Sequence, residues 1–277
     1  MSVSIQQRRA TFRALHEQGC FVMPNPWDVG TAIYLQRLGF PALGSTSAGF
    51  AWTLGLADGR VPRAAVLEHL RNLVQATNLP VSADFESGFG ADPDGVAHSV
   101  RLAVDTGIAG LSIEDSSGDV KTPIRDMDRA VARLQAARQA IDDSGKDVIL
   151  VGRAENYLHG RPDLDDTITR LKAYAEAGAD CLYAPGLSSR EDITAVVKAV
   201  APKPVNVLVG RTTEFTVQDL ADMGVRRISI GGALSRTAWY GLEQAATPLV
   251  RDGSFEGLGA AMPHAALNSI FAKGKLP

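Results

Sequence analysis

Short apolar runs alternate with longer amphipathic segments along the whole chain. Eight of these runs have the length and composition of buried strands: 20–23, 42–45, 81–85, 110–114, 148–153, 181–184, 205–209 and 227–230. Their residues are almost continuously apolar rather than alternately apolar and polar, which indicates strands buried on both faces of a parallel sheet. The pattern therefore predicts eight parallel strands.

The segments between the runs have the period of amphipathic helices. In 164–177 the apolar residues recur at spacings of four and three: Leu164, Ile168, Leu171 and Ala175. The acidic start at 163–166 and the stop at Gly178 fit the preferences of helix ends. A helix that ends near a glycine and is followed at once by a strand occurs three times, at 105–111, 176–181 and 222–228. This repetition favours one repeating architecture.

Eight strands with intervening helices in 277 residues are most simply one closed (β/α)₈ TIM barrel. We expect a single domain over 1–277, with a C-terminal helical tail from about 233. The length also suits two ordinary domains, and an open doubly wound sheet is the structural alternative. The first strand, however, is not followed by a Gly-x-Gly-x-x-Gly phosphate loop. In a barrel the active site lies at the C-terminal ends of the strands.

Composition and charge exclude several classes of protein. The formal net charge is −3 and the pI is about 6.0, with no basic run that would suit nucleic acid. The start of the chain has no signal peptide and no apolar stretch is long enough to span a bilayer, so we expect a soluble cytoplasmic protein. Cys20 and Cys181 each begin an apolar run, and we interpret both as reduced, packed thiols.

Acidic residues stand where neighbouring strands end. Asp84 and Glu86 close the third run, and because they are two apart on an extended segment we expect both side chains on one side. The sequence 87–90 then lets the chain turn away. Glu114 ends the fourth run and Arg153 the fifth. Carboxylate oxygens are the ligands of Mg²⁺, so the sequence predicts a site for a hard cation, although single acids are also common in loops.

Arg153 has two interpretations, and so have three other polar residues. Its guanidinium could pair with a substrate carboxylate or neutralise a neighbouring acid in a structural ion pair. Tyr183 could donate a proton to an enolate or only shape the pocket. Asn206 could bind a carboxylate or serve as a structural amide. His159 could act as a general acid or base, and we interpret it as a surface histidine.

The order and spacing of several motifs resemble the isocitrate lyase/phosphoenolpyruvate mutase superfamily over roughly residues 10–245. The motifs are Gly44-Ser45-Thr46-Ser47, Trp52 to Asp58, Asp84-Phe-Glu86-Ser-Gly88-Phe-Gly90, Ile113-Glu114-Asp115 and Gly152-Arg153-Ala-Glu155. The resemblance implies a (β/α)₈ barrel, a substrate that is a 2-oxo acid or its precursor, and an enolate stabilised by metal and arginine.

The resemblance also implies roles for individual residues. Acids that match Asp58, Asp84, Glu86 and Glu114 would hold Mg²⁺ or Mn²⁺ directly or through water. Arg153, with the backbone around Ser45, Thr46 and Ser47, would hold the substrate carboxylate. We expect Arg153, Asp58 and Tyr183 in catalysis, and Asn206 among the substrate-binding residues. In the superfamily the eighth helix is often exchanged between subunits, which implies a homo-dimer or homo-tetramer.

The loop 116–125 departs from the best-known members of the superfamily. Isocitrate and methylisocitrate lyases carry a cysteine and a histidine there, and this loop has neither. Phosphonate enzymes carry Lys-Thr-Asn, whereas Lys121-Thr122 is followed here by Pro123. We therefore expect a Mg²⁺-dependent carbon–carbon lyase acting on a small 2-oxo or 2-hydroxy carboxylate, most simply by oxaloacetate-type decarboxylation. The alternatives are phosphorus–carbon chemistry and a 2-oxo-acid-binding protein without turnover.

Overall fold

All eight apolar runs form parallel strands in a computed structural model, which describes residues 3–272. The strands are β1 (Phe21–Met23), β2 (Leu43–Gly44), β3 (Val81–Asp84), β4 (Gly110–Glu114), β5 (Ile149–Arg153), β6 (Cys181–Tyr183), β7 (Val205–Leu208) and β8 (Arg227–Ser229). Each bound lies within one residue of the run that predicts it, so the strand prediction is confirmed.

Helices follow the strands in alternation. They are α1 (Ile5–Glu17), α2 (Val29–Arg37), α3 (Ser47–Thr53), α4 (Arg63–Ala76), α5 (Pro93–Val104), α6 (Met127–Asp143), α7 (Leu164–Glu176), α8 (Arg190–Val200), α9 (Val217–Asp222), α10 (Ala233–Asp252) and α11 (His264–Ala272), with a 3₁₀ helix at Glu256–Ala260. The helix predicted over 164–177 is α7. Asp163 caps it by accepting a hydrogen bond from the Asp166 amide at 3.0 Å, and Gly178 follows with a φ of +98°.

The strands are ordered β1-β8-β7-β6-β5-β4-β3-β2, so the sheet curves round until its first and second strands meet. At this seam the Gly44 amide donates to the Pro24 carbonyl at 3.0 Å. Gly44 is needed there because a Cβ would lie 2.8 Å from the Met23 side chain. The chain is thus a nearly closed (β/α)₈ TIM barrel, as the sequence predicts.

One rung of the barrel ladder carries polar side chains on five successive strands. The paired residues, taken from β4 to β8, are Glu114, Arg153, Tyr183, Asn206 and Arg227. Residues that are in register on parallel strands face the same side of the sheet. The register therefore turns these five side chains to the barrel interior, and because barrel strands are tilted the line they form descends from Glu114 towards Arg227, which reaches His16 of α1.

The N-terminal end of the interior is largely apolar and is closed by α1. Phe12 of α1 is fully buried and meets Phe21 of β1 edge to face, with ring centroids 6.3 Å apart. Cys181 packs in this cluster, and both it and Cys20 are free thiols, as predicted. Because the N-terminal end of the barrel is filled, ligands have access only from the C-terminal ends of the strands.

The chain continues past the barrel into α10 and α11. Both helices expose large apolar side chains, among them Trp239, Tyr240 and Phe271. Exchange of these helices between subunits stays a prediction. Over residues 3–272, none of the helices is long and apolar enough to cross a bilayer.

Candidate active site

A cavity of about 170 Å³ opens where the strands end. Arg153, Tyr183, Asn206 and Arg227 of the polar rung line it, and so does Asp84 of β3. The turn after β2 contributes Ser45, Thr46 and Ser47, and Asp58 reaches the same space from the segment after α3. The structure thus brings most of the predicted site residues to one cavity.

The turn after β2 is fixed to β3 through Asp84. The Ser45 hydroxyl accepts a hydrogen bond from the Asp84 amide at 2.9 Å, and the Asp84 carboxylate accepts one from the Ser47 amide at 3.0 Å. Thr46 caps α3, where its side chain accepts from the Gly49 amide. The Ser47 amide, which we expected to hold a substrate carboxylate, is therefore paired with Asp84.

A buried asparagine fixes the same turn from the other side of the seam. Asn25 donates to the Ser45 carbonyl at 2.9 Å, and its side-chain oxygen accepts from the amides of Ile230 and Gly231. All three of these hydrogen bonds join the amide to backbone. It thereby positions the ends of β2 and β8 against each other at the mouth of the cavity.

Arg153 lies among three carboxylates. Its Nη1 is 3.2 Å from Asp84 and 3.4 Å from Glu114, and its Nε is 2.5 Å from Glu155. Burial opposes the charge, but these carboxylates outweigh it and raise the pKa of Arg153 well above its usual value. The structural ion pair is therefore present. Among residues 3–272 the Nη2 group has no hydrogen-bond partner, which leaves one donor for a ligand.

Glu86 does not continue the strand. β3 ends at Asp84, and Glu86 has a φ of +48°, in the left-handed region. We expected Asp84 and Glu86 on one side because they are two apart on an extended segment. That premise is wrong, because the segment is not extended at Glu86. Arg133 of α6 fixes the turn instead, since its guanidinium donates to the carbonyls of Ser87 and Gly90 at 2.6 and 2.8 Å. Glu86 still lies beside Asp84 on the wall of a second, very small cavity.

The acids of this region lie close together and disfavour one another's ionisation. Burial, and then the charge of Asp84, raise the pKa of Glu86 to about 7. Burial also raises the pKa of Glu114 to about 8, although Arg153 opposes the rise. The pKa of Asp58 is raised by burial as well. The single positive charge of Arg153 does not balance the negative charge of so many carboxylates. A divalent cation bound among them would supply the missing positive charge.

The donor set fits a hard cation that keeps much of its water. Every predicted ligand supplies carboxylate oxygen, which Mg²⁺ prefers. Within residues 3–272, no three Asp, Glu, His or Cys side chains converge closely enough to enclose a metal ion. Mg²⁺ is typically held by one or two carboxylates, with water and substrate completing the shell, so an open arrangement suits it better than Zn²⁺ or Ca²⁺.

Tyr183 and Asn206 form the floor of the cavity. The Arg153 guanidinium lies 5.1 Å from the centre of the Tyr183 ring. Burial raises the pKa of Tyr183 to about 12, so the phenol keeps its proton at neutral pH. Asn206 accepts from Arg227 Nε at 2.8 Å and donates to Ser229 Oγ at 3.0 Å. Both interpretations of Asn206 remain open, because its second amide hydrogen has no partner among the described residues.

Behind the cavity a buried carboxylate holds the ends of β4 and β5. Asp115 accepts from the Glu155 amide at 2.9 Å, from the Tyr174 hydroxyl at 2.6 Å and from Arg170 at 3.1 Å. Since Glu155 in turn accepts from Arg153, this network fixes the arginine that lines the site.

The loop 116–125 forms a small hairpin outside the cavity. Ser116 and Ile124 form an antiparallel bridge, and the Ser117 amide donates to the Pro123 carbonyl at 2.8 Å. At its tip Val120 is 95% exposed. None of the loop residues lines the cavity. His159, interpreted as a surface residue, is exposed, with Nε2 3.8 Å from Glu155.

Sequence reasoning missed Arg227, Ser229 and Asn25 as site residues. Arg227 begins its strand, whereas active-site residues of a barrel are expected at strand ends. The signal that identifies it is the ladder register, which pairs Arg227 with Asn206. That register is a long-range property and does not follow from local pattern.

Comparison with known proteins shows which proteins the chain is similar to. The family model described as phosphoenolpyruvate phosphomutase matches residues 12–250. A crystal structure of a Burkholderia cenocepacia J2315 protein, named as a candidate lyase/mutase, is 47% identical with a TM-score of 0.95, and the match covers 98% of each chain.

Two curated relatives carry the names of activities. An oxaloacetate decarboxylase of Paraburkholderia xenovorans is 30% identical over 90% of this chain and 83% of that protein. A 2-methylisocitrate lyase of Halalkalibacterium halodurans is 29% identical over 78% of this chain and 73% of that protein. The two names differ in substrate but share the breaking of a carbon–carbon bond.

Proposed function

Because the chain belongs to the phosphoenolpyruvate phosphomutase family, within the isocitrate lyase/PEP mutase superfamily of lyases and mutases, we propose that it is a Mg²⁺-dependent carbon–carbon lyase. The substrate is a small 2-oxo or 2-hydroxy carboxylate, most simply oxaloacetate, which would be decarboxylated to pyruvate. The observation that carries the proposal is the cluster of Asp84, Glu114 and Arg153 at the mouth of the barrel.

Mg²⁺ or Mn²⁺ would be held by Asp84, with Glu86, Glu114 and Asp58 contributing directly or through water. When bound, the ion supplies positive charge that lowers the energy of an enolate and of the bond cleavage that produces it. The raised pKa values of Glu86 and Glu114 support this assignment, since these acids lack sufficient positive charge around them.

In this proposal the protein's own residues orient the substrate, supply a proton and exclude water. Arg153 keeps its charge at every working pH, and its Nη2 donor orients the substrate carboxylate. Tyr183 holds a proton on its phenol oxygen at neutral pH and delivers it to the carbon skeleton after cleavage. The buried floor excludes bulk water, which strengthens both interactions.

The loop 116–125 favours decarboxylation over the other activities. It has no cysteine or histidine to serve as the acid that methylisocitrate cleavage uses in the lyases it resembles. Pro123 takes the place of the phosphonate enzymes' asparagine, and its carbonyl is tied into the hairpin. When oxaloacetate loses the carboxylate β to its oxo group as CO₂, the bonding electrons pass to the enolate and need only a positive charge at the enolate oxygen, so the missing groups do not count against this reaction.

The deciding experiment is a substrate panel with added Mg²⁺. Oxaloacetate, phosphonopyruvate and 2-methylisocitrate are each incubated with the protein, and pyruvate release is followed by coupled NADH oxidation. Oxaloacetate also loses CO₂ without enzyme, so Asp84→Asn serves as the inactive variant and Asp94→Asn, an exposed acid on α5, as its matched control. We expect release from oxaloacetate that Asp84→Asn and a chelator abolish and Asp94→Asn preserves.

The alternatives predict other outcomes from the same panel. Phosphonopyruvate turnover, read by phosphorus NMR, would replace the proposal with phosphorus–carbon chemistry. Calorimetric binding of 2-oxo acids with no release from any substrate would favour a binding protein without turnover.

A further inference from the structure

Arg227 is a buried guanidinium without a carboxylate partner. It is 3% exposed, and within residues 3–272 no Asp or Glu oxygen lies within 4.0 Å of it. Its Nε donates to Asn206 and its Nη1 approaches His16 Nε2 at 3.4 Å, and both partners are neutral side chains. A buried charge is costly unless it is paired, so an unpaired arginine here calls for an anion.

Among residues 3–272 the side chains that contact Arg227 carry no negative charge. His16 donates from Nδ1 to the Phe12 carbonyl at 2.7 Å, which leaves Nε2 as the acceptor facing the arginine. Cys181, also nearby, keeps its thiol proton because burial raises its pKa. Phe21, the next residue on the rung, is apolar. None of these neighbours therefore supplies a negative charge to the guanidinium.

Arg227 lines the same cavity as Arg153, and the two arginines differ in the charge around them. Three carboxylates surround Arg153, so that end of the cavity is anionic and suits a cation. The Arg227 end has an excess of positive charge. Among the described residues Nη2 of Arg227 has no hydrogen-bond partner, so a donor remains for a ligand in the cavity.

We propose that Arg227 forms a second anion subsite, which holds the distal carboxylate of a dicarboxylate substrate deep in the barrel. The 2-oxo or 2-hydroxy acid end then lies at the Asp84–Arg153 end, and in oxaloacetate the carboxylate that Arg227 orients is the one that leaves as CO₂ when its bonding electrons pass to the enolate. The inference rests on the proposed function and narrows it, because it selects substrates with two carboxylates over monocarboxylates of the same length. A guanidinium suits this role, since its planar fork matches carboxylate geometry.

The test compares two ligands that differ only at the far end. Malate and 2-hydroxybutyrate share a four-carbon 2-hydroxy acid skeleton, and the terminal carboxylate of the first is a methyl group in the second. Their affinities are measured by calorimetry with Mg²⁺ for the wild-type protein, Arg227→Gln and Arg227→Met. Arg226→Gln is the matched control, because Arg226 is the adjacent residue and lies outside the cavity, on the Gly19 carbonyl.

We expect wild type and Arg226→Gln to bind malate about tenfold or more tightly than 2-hydroxybutyrate, a difference of about 1.4 kcal/mol. In both Arg227 variants the ratio falls to about one through loss of malate affinity, while 2-hydroxybutyrate binding changes less than about threefold. A wild-type ratio near one, or a folded Arg227 variant that keeps the wild-type ratio, would overturn the inference.

Folding is checked by thermal melting without ligand. Replacing an unpaired buried cation by methionine is expected to leave the melting temperature unchanged or to raise it. If neither Arg227 variant folds, the guanidinium is structural and the inference fails. The two proposals fail separately. Selective binding of malate without turnover of any substrate would support the subsite and contradict the lyase activity. Turnover without preference for malate would support the lyase activity and contradict the subsite.

Discussion

Arg153 and Arg227 lie on the same rung of the barrel, three strands apart, in opposite electrostatic surroundings. Arg153 contacts three carboxylates, and Arg227 contacts an amide and an imidazole. The cavity between them therefore has an anionic end and a cationic end. Such a site orients a ligand that carries both a metal-binding group and a free carboxylate.

The geometry around Arg153 predicts that a positive charge without the guanidinium shape does not support activity. In Arg153→Lys the ammonium keeps the charge but cannot contact Asp84, Glu114 and Glu155 while also offering a planar donor to substrate. We expect kcat/KM for the panel's best substrate to fall by about 100-fold, or ~2.7 kcal/mol of transition-state stabilisation. Arg101→Lys, on the exposed side of α5, is the control and should be unchanged. Activity within threefold of wild type in Arg153→Lys would contradict the assignment.

The phenol of Tyr183 offers a separate test. Tyr183→Phe keeps the ring beneath Arg153 and removes only the proton donor. If that proton is used, kcat falls by about 100-fold with little change in KM. The control is Tyr34→Phe, a half-buried tyrosine of α2 away from the cavity. A kcat within twofold of wild type would leave Tyr183 the role of shaping the pocket.

The strands were predictable because the barrel buries them on both faces, which makes each a continuous apolar run. The acidic mouth was predictable for a related reason: Glu114 and Arg153 end their strands, and strand ends form the active face. Arg227 was not predictable in this way. It begins β8 but is in register, through β6 and β7, with Arg153, which ends β5, because the hydrogen-bond register is staggered around the barrel.

Glu86 illustrates a second limit of sequence reasoning. Alternation assumes an extended chain, and the backbone leaves that region after Asp84. Positive φ values at Glu86 and Phe89 are unusual for residues with side chains and are imposed by contacts from elsewhere, Arg133 among them. No local signal in 81–90 reports an arginine on α6.

The Asp115 network predicts a large loss of stability on a small chemical change. Asp115→Asn removes the charge that pairs with Arg170 and turns an amide donor toward donors on Tyr174 and Arg170. We expect the free energy of unfolding in urea to fall by about 3 kcal/mol. Tyr174→Phe should cost about 1 to 2 kcal/mol, and the double variant less than the sum, because the two share one hydrogen bond. A loss below ~0.5 kcal/mol for Asp115→Asn would show that the network does not hold β4 and β5.

The turn that carries Glu86 depends on a glycine. A Cβ at Gly90 would lie 2.3 Å from the backbone of Gly95 and Val96, so the start of α5 must move to admit it. We expect Gly90→Ala to lower the free energy of unfolding by about 3 kcal/mol and to weaken Mg²⁺-dependent activity by displacing Glu86. Gly241→Ala is the control: no atom lies within 4 Å of its Cβ, and alanine favours the helix. Equal melting temperatures for the two variants would refute the close approach.

His16 makes the stability of the barrel dependent on pH. Burial, followed by the charge of Arg227, lowers the pKa of His16 to about 3, from 6.5 in the unfolded chain. Between these values the unfolded chain binds the proton and the folded one does not. Stability is therefore constant above pH 6.5 and falls as the pH drops towards 3, by roughly 2 kcal/mol at pH 5.

The variant His16→Gln isolates this contribution, because glutamine does not titrate and keeps an acceptor for Arg227. Urea unfolding at pH 7.5 and pH 5.0 gives the difference for each protein. We expect wild type to lose about 2 kcal/mol more than the variant between these values. His69, whose pKa burial lowers to about 4, acts in the same direction in both proteins and cancels from the comparison. An identical loss in the two proteins would mean that His16 is not held neutral beneath Arg227.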